Sequence, residues 1–223
     1  MTEENSVFDR TKLERGETVI SEGLYNFFIG LVLSYGLFAN MLMVKYIPAT
    51  AILGINHWVF FIGYFASCFF GVFLYIKSIN PWISFIGYNF VVVPFGLVIN
   101  IVVANYSQTL VVEAVQITGA VTISMMILGS LFPAFFKRIA TALTVSLLLV
   151  IVWELVATFI FKKVYGIIDW IVVVIFCGYI GVDWGRANQI PKTVDNAIDS
   201  AAALYMDIIN LFLRLLRILG RSK

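Results

Sequence analysis

The chain has 223 residues, of which 61% are hydrophobic and only 13% are charged. An average soluble protein carries roughly 25% charged residues, so this composition excludes an ordinary soluble domain and indicates an integral membrane protein. The formal net charge is only +2. Because there is also no basic groove with interleaved aromatic residues, we expect no nucleic-acid partner. We therefore expect the chain to be embedded in a lipid bilayer.

The first 22 residues form a polar leader of mixed charge, and we assign residues 23–223 to a single membrane domain. A secretory signal peptide has a short basic segment followed by about 7–15 apolar residues. Here the first apolar run is much longer. We therefore interpret it as a retained signal anchor and not as a cleaved peptide.

Six apolar stretches are long enough to cross a membrane, because a hydrocarbon core about 30 Å thick needs roughly 20 apolar residues in a helix. They lie at about residues 24–44, 51–76, 83–104, 110–132, 139–161 and 167–182. Connections such as KSINP are only a few residues long, which favours antiparallel neighbours in one compact bundle. The sequence thus predicts an all-α integral membrane protein.

A seventh segment, at about residues 197–219, is interrupted by charges. Its polar residues recur at spacings of three and four and so form one face of a helix: Ser200, Ala203, Asp207, Asn210, Arg214, Arg217 and Arg221. A crossing helix would turn this face toward other helices or a water-filled path. A helix lying in the membrane interface would turn it to water. The distribution of loop charges leaves both interpretations open.

Asp207 needs an explanation, because an ionised group in hydrocarbon costs several kcal/mol. Asp183 lies near the end of the sixth span, and antiparallel packing would bring it to the same side of the membrane as Asp207. Lys77, at the end of the second span, arrives at that side too. Two acids in one site titrate as a unit. We expect them to share a proton in a closed state, or to repel and recruit a cation when ionised.

Acidic residues also lie near the other mouth of the predicted bundle. Glu113 begins the fourth span and Glu154 lies near the end of the fifth. Together with Asn210 on the polar face, they suggest a route for cations through the bundle. The alternative is that both glutamates are interfacial residues paired with Lys162, Lys163 or water.

Two polar residues inside the third span, Asn89 and Asn100, share one face of the helix. Asparagines at such positions more often hydrogen-bond a neighbouring helix than form an ion filter. We therefore predict that they join helices. His57 opens the second span beside Trp58, and we interpret it as an interfacial residue and not as a ligand or pH sensor.

The stretch VDWGRANQIPKTVDNAIDSAAALYMDIINLFLRLLRILG resembles the C-terminal signature of the Bax inhibitor family, the transmembrane Bax inhibitor motif proteins. The core LYMDIINLF, with an upstream aspartate ending the previous span, carries the match, and VEA around Glu113 is also similar. The resemblance implies a seven-transmembrane-helix bundle in which the C-terminal helix is central and the other six surround it.

The resemblance further implies a pH-sensitive calcium leak with a di-aspartyl sensor that matches Asp183 and Asp207. Those carboxylates would bind calcium transiently as the transported ion, and no resident cofactor is expected. Family members commonly carry an arginine at the end of the second span. This chain has Lys77 nearest to that place, so the resemblance makes Lys77 the possible latch, although a lysine lacks the planar guanidinium group of arginine. The family's Tyr-Asp pair is replaced by Val182-Asp183.

An enzyme and a membrane scaffold are the other functional classes to compare with a cation leak. An intramembrane aspartyl protease would carry Gly-x-Gly-Asp at the second acid and a later Pro-Ala-Leu, and neither is present. No G-x-S-x-G elbow occurs either, so we do not expect an enzyme. A non-transporting scaffold that regulates other membrane proteins is the alternative. Because no phosphate-binding loop is present to power a pump, we expect passive flow.

The compact leader and short loops favour a multi-pass protein of a bacterial plasma membrane.

Overall fold

The structure, a computed structural model, describes residues 13, 18–162 and 166–221. These residues form eight helices and no strand, which confirms the all-α prediction. The helices are α1 (Glu22–Tyr46), α2 (Ala49–Leu53), α3 (His57–Lys77), α4 (Pro81–Val103), α5 (Gln108–Leu131), α6 (Pro133–Phe159), α7 (Gly166–Ala187) and α8 (Val194–Arg221). Seven of them are long. The additional helix, α2, has five residues, and the predicted second span merged it with α3.

Polar residues placed just before four of the helices help to determine where they begin. The side chains of Ser21, Asn56, Asn80 and Ser107 accept hydrogen bonds from backbone N–H groups in the first turns of α1, α3, α4 and α5. These N–H groups have no partner within the helix, so a capping oxygen stabilises each start. Pro133 opens α6 one residue after Phe132, which suits proline because the first helical turn needs no N–H donor there.

Six helices, α1 and α3 to α7, are long and apolar enough to cross a membrane. Several of their large apolar side chains are mostly exposed, including Trp58 at 73%, Phe69 at 70% and Val174 at 68%. Such exposure is expected where lipid tails cover the surface. The prediction of a multi-pass integral membrane protein is confirmed.

Helix α8 carries too many charges to be counted among those six, yet its 28 residues would extend about 42 Å, more than the hydrocarbon thickness. Both of its faces are buried along most of the helix, and the polar face becomes exposed toward Arg221. Leu204 and Leu211 on the apolar face are fully covered, and Asp207 on the polar face is only 7% exposed. An interfacial helix would give its polar face to water. The burial therefore favours the interpretation of α8 as a packed helix.

The chain divides into two compact units. In the described residues, the first unit comprises α1 to α4 and the part of α8 up to Tyr205. Asn89 and Asn100 join its helices, as predicted. Asn89 Oδ1 accepts a 2.7 Å hydrogen bond from the Tyr35 hydroxyl of α1. Asn100 Nδ2 donates to the carbonyl oxygens of Met43 and Ile47, at the end of α1.

The N-terminal half of α8 is held in the first unit by polar side chains. The Tyr25 hydroxyl lies 3.0 Å from Ser200 Oγ. Ser84 Oγ of α4 donates to Asp195 Oδ1 at 2.7 Å. Tyr205, completely buried, packs edge-to-face on Tyr88, with ring centroids 5.5 Å apart. These contacts fix which side of α8 meets α1 and α4.

The second unit comprises α5, α6, α7 and the part of α8 from Met206 onward. Glycines allow α7 to approach its neighbours closely. A Cβ built on Gly129 of α5 would lie 2.5 Å from the Gly181 carbonyl oxygen of α7, and one built on Gly181 would overlap the Phe136 ring of α6. Small residues at helix contacts are typical of membrane bundles. They set the position of the end of α7, where Asp183 lies.

Candidate functional site

The structure brings Asp183 and Asp207 together within the second unit. Asp183 lies in the last turns of α7 and Asp207 in the middle of α8. Their carboxyl groups lie close enough to interact with each other. The two residues are 9% and 7% exposed. A hydrogen bond between two carboxyl groups requires a proton on one of them, so this contact depends on protonation.

Two further side chains of α7 act on the aspartate pair. Arg186 interacts electrostatically with Asp183, from which it is separated by one helical turn. Tyr179, one turn earlier, is electrostatically linked to both aspartates and donates from its hydroxyl to Thr144 Oγ1 of α6 at 3.0 Å. Neither residue is among those predicted from the sequence. Their spacing of three and four residues from Asp183 was the available signal.

The pair has unused capacity to bind a cation. Asp207 Oδ2 is buried and has no hydrogen-bond partner among the described residues. Carboxylate oxygens are the ligands that calcium prefers, but calcium takes six to eight oxygen ligands. No group of three or more potential metal-binding side chains occurs in the part of the chain that the structure describes.

Glu154, predicted to line an ion route, belongs to a cluster of five charged side chains in the second unit. Arg214 of α8 donates to both carboxylate oxygens of Glu154, at 2.7 Å between Nη2 and Oε2. Its Nη1 also donates to Asp169 Oδ1 of α7 at 2.9 Å. Arg217 and Arg221 donate to the same aspartate at 3.1 and 2.6 Å. The observed cation partner of Glu154 is an arginine of α8, which the predicted interfacial alternative did not name, and Lys163, one of the lysines in that alternative, lies outside the described residues.

Asp169 was not predicted as a site residue, although it is only 1% exposed. It lies in the first turn of α7, where an acid is favoured by the positive end of the helix dipole. That local role is visible in the sequence. Its three arginine partners are not, because they are 45 or more residues away along the chain.

The other predicted site residues lie elsewhere. Glu113 is half-buried on α5 and lines a surface pocket with Gln108 and Gln116. Asn210 on α8 donates to the Met206 carbonyl oxygen of its own helix at 2.8 Å. Lys77 ends α3 in the first unit. Their functional roles, including the latch, stay predictions.

Comparison with known proteins bears on the family of the chain. The family described as "Inhibitor of apoptosis-promoting Bax1" matches residues 18–223. An uncharacterised membrane protein of Streptococcus pyogenes serotype M3 is 33% identical over 134 residues, covering 57% of this chain and 58% of that protein. Bax inhibitor 1 of Schizosaccharomyces pombe is 32% identical over 133 residues, covering 56% of this chain and 47% of that protein. The chain thus spans only about half the length of these relatives. Since the family match extends over nearly the whole chain, the protein belongs to the Bax inhibitor family.

Proposed function

We propose that this protein is a passive leak for calcium ions whose opening is controlled by protonation of the Asp183–Asp207 pair. The observation that carries the proposal is the contact between two buried carboxyl groups on two different helices. Two carboxylates cannot both ionise there without strong repulsion. A change of pH therefore changes the bond that joins α7 to α8.

The charges around the pair favour one arrangement of the shared proton. Arg186 stabilises a negative charge on Asp183, so the proton belongs on Asp207. When the proton leaves, the two aspartates repel each other and together present four carboxylate oxygens to a cation. This supplies both a switch and a transient binding site.

Calcium is the proposed cargo because hard cations prefer carboxylate oxygens, and the free Oδ2 of Asp207 among the described residues gives such a ligand. Glu113 and Asn210 stay candidates for the rest of the route. Glu154 would join it only if its ion pair with Arg214 opened. Lys77 is the proposed latch of the closed state. In this proposal the protein transports without catalysing a reaction.

The test is calcium flux through purified protein in liposomes between about pH 5 and 8, the range in which folded proteins are generally stable. Wild type is compared with Asp207→Asn and Asp183→Asn. Asp195→Asn is the matched control, since Asp195 is also a buried acid of α8 but bonds to Ser84 in the first unit. Thermal unfolding of each variant in detergent shows whether it is folded.

We expect wild-type flux to change with pH, and both pair variants to lose that change while the Asp195 variant keeps it. The sign of the wild-type change identifies the open protonation state. Absence of calcium flux in folded wild type at every pH would overturn the leak, and the scaffold alternative would then stand first. A pH response that survives in both pair variants would remove the sensor role from the two aspartates.

A further inference from the structure

The second unit also contains a cavity of about 640 Å³ that the proposed gate does not use. It lies between the C-terminal parts of α6 and α8 and the start of α7. Its polar lining comes from Arg214, Arg217, Arg221, Glu154 and Tyr106. The rest of its wall is mostly apolar and belongs to α6. The cavity thus combines guanidinium groups with a surface of the kind that faces lipid.

The charged side chains around the cavity do not balance. Three guanidinium groups, of Arg214, Arg217 and Arg221, meet two carboxylates, of Glu154 and Asp169. Among the described residues, one positive charge is therefore left over in this cluster. An uncompensated charge in a partly buried site is costly, and a bound anion would offset that cost.

Two of the three arginines keep most of their donors for a ligand. Arg217 and Arg221 each donate to Asp169 through Nη1. A guanidinium group has five N–H donors. Their side chains are still 40% and 38% exposed, in contrast to 17% for Arg214, which bridges both acids. The outer two arginines are therefore the ones that can bind an anion.

The beginning of α7 adds to the positive field. Gly166, its first residue, lies close to Arg221: a Cβ at this position would be 3.1 Å from the Nη1 atom. Helix N-termini carry a partial positive charge from their unpaired N–H groups. Asp169 compensates part of this field, but three arginines share that one carboxylate.

We propose that this cavity binds a phosphate group and that an anionic phospholipid headgroup is its source in the membrane. A phosphodiester carries one negative charge, which equals the excess of the cluster. Arginine forks match the spacing of phosphate oxygens. The exposed apolar residues Ile151 and Leu155 line the same cavity and can contact an acyl chain. Basic pockets between membrane helices bind headgroups in this way.

The test measures lipid binding by the purified protein in detergent and does not depend on calcium flux. Thermal unfolding is followed while phosphatidylglycerol, phosphatidylcholine or inorganic phosphate is added, and native mass spectrometry counts the lipids that stay bound. The test variant is R217Q/R221Q. The matched control is K137Q/R138Q, which removes two positive charges from exposed positions of α6 outside the cavity.

We expect phosphatidylglycerol to stabilise wild type and the control, and to bind roughly tenfold or more weakly to R217Q/R221Q, because each arginine near an anionic headgroup contributes to affinity. If inorganic phosphate stabilises wild type as much as phosphatidylglycerol does, and R217Q/R221Q loses this response, the cavity is a phosphate site whose ligand is a free anion and not a lipid headgroup. If R217Q/R221Q does not fold, R217K/R221K is tested in its place. This variant keeps both positive charges but lacks the paired N–H donors of the guanidinium groups, so it should bind the lipid more weakly than wild type. Equal binding of both lipids, or an equal response of wild type, control and test variants, would overturn the proposal.

Discussion

Arg214 of α8 forms a bidentate ion pair with Glu154 of α6, in which Nη1 and Nη2 donate to different carboxylate oxygens. This bidentate geometry is the strongest form of an arginine–carboxylate pair. Since the same Nη1 also reaches Asp169, one side chain joins three helices of the second unit. Arg214 is therefore a structural link as well as part of the polar face of α8.

The first prediction follows from this link. Arg214→Gln should lower the free energy of unfolding by about 2–4 kcal/mol, because breaking a largely buried ion pair leaves the Glu154 carboxylate without its arginine. The exposed Arg138 of α6 provides a matched control, and Arg138→Gln should change stability by less than about 0.5 kcal/mol. Thermal unfolding in detergent measures both. Equal effects of the two substitutions would show that the link contributes no stability.

A second prediction separates the two acids of the cluster. Asp169 is 1% exposed and accepts from three arginines, whereas Glu154 is 32% exposed and, among the described residues, accepts from Arg214. Asp169→Asn should therefore destabilise the protein by about 3 kcal/mol or more, and Glu154→Gln by about 1 kcal/mol. Raising the salt concentration should weaken the effect of Glu154→Gln more, because exposed pairs are screened better. The reverse order of the two variants would contradict the geometry.

The third prediction concerns the packing that positions Asp183. A Cβ on Gly181 would overlap the ring of Phe136, which is buried and has little freedom to move. Gly181→Ala should thus cost about 1–3 kcal/mol through overpacking. A Cβ on Gly119 of α5 would have no neighbouring atom within 4 Å among the described residues, so Gly119→Ala should be neutral or slightly stabilising. A neutral Gly181→Ala would mean that α6 and α7 pack less closely than described.

Much of the fold could be predicted from the sequence because hydrophobic length and helix capping are local properties. The six apolar runs became six long helices, and polar caps such as Asn80 mark where they start. The short helix α2 was missed because its residues are as apolar as those of the span that follows. Hydropathy alone does not show the break around Gly54.

The site was only partly predictable, because its contacts join residues far apart in the chain. The spacing of polar residues on α8 placed Asp207 and Arg214 on one face of the helix. It could not show that Arg214 binds Glu154, 60 residues earlier. Arg186 lies three residues after Asp183 on the same helix, so their interaction could have been predicted from this spacing. The ion pairs of Asp169 could not be predicted in this way, since nothing local distinguishes an acid in the first turn of a helix from an acid that binds several arginines.

A fourth prediction tests how α8 is held in the first unit. The buried Asn40 Nδ2 of α1 donates to the Tyr205 hydroxyl. Tyr205→Phe leaves that donor without its acceptor and should cost about 1 kcal/mol. Tyr35→Phe removes a hydrogen bond of a 40% exposed tyrosine and should cost less. Urea or thermal unfolding in detergent compares the two, and an equal or larger loss for Tyr35→Phe would argue against a tight polar contact at Tyr205.

The last prediction depends on the proposed gate and concerns Arg186. Its positive charge acts on Asp183, so it helps the aspartate pair to lose its proton. Arg186→Gln should move the midpoint of the calcium flux against pH to a higher pH, by roughly one unit, since one unit corresponds to about 1.4 kcal/mol of lost interaction. Arg186→Lys keeps the charge and should stay near wild type.

Arg138→Gln serves as the control for loss of an arginine charge away from the pair, and its midpoint should not move. The flux measurement in liposomes gives the midpoint for each variant, and unfolding in detergent confirms that each is folded. A midpoint that stays at the wild-type pH in folded Arg186→Gln, or moves to a lower pH, would show that Arg186 does not act on the gate. A shift in the expected direction, absent in the lysine variant, would assign the effect to the charge and not to the shape of the side chain.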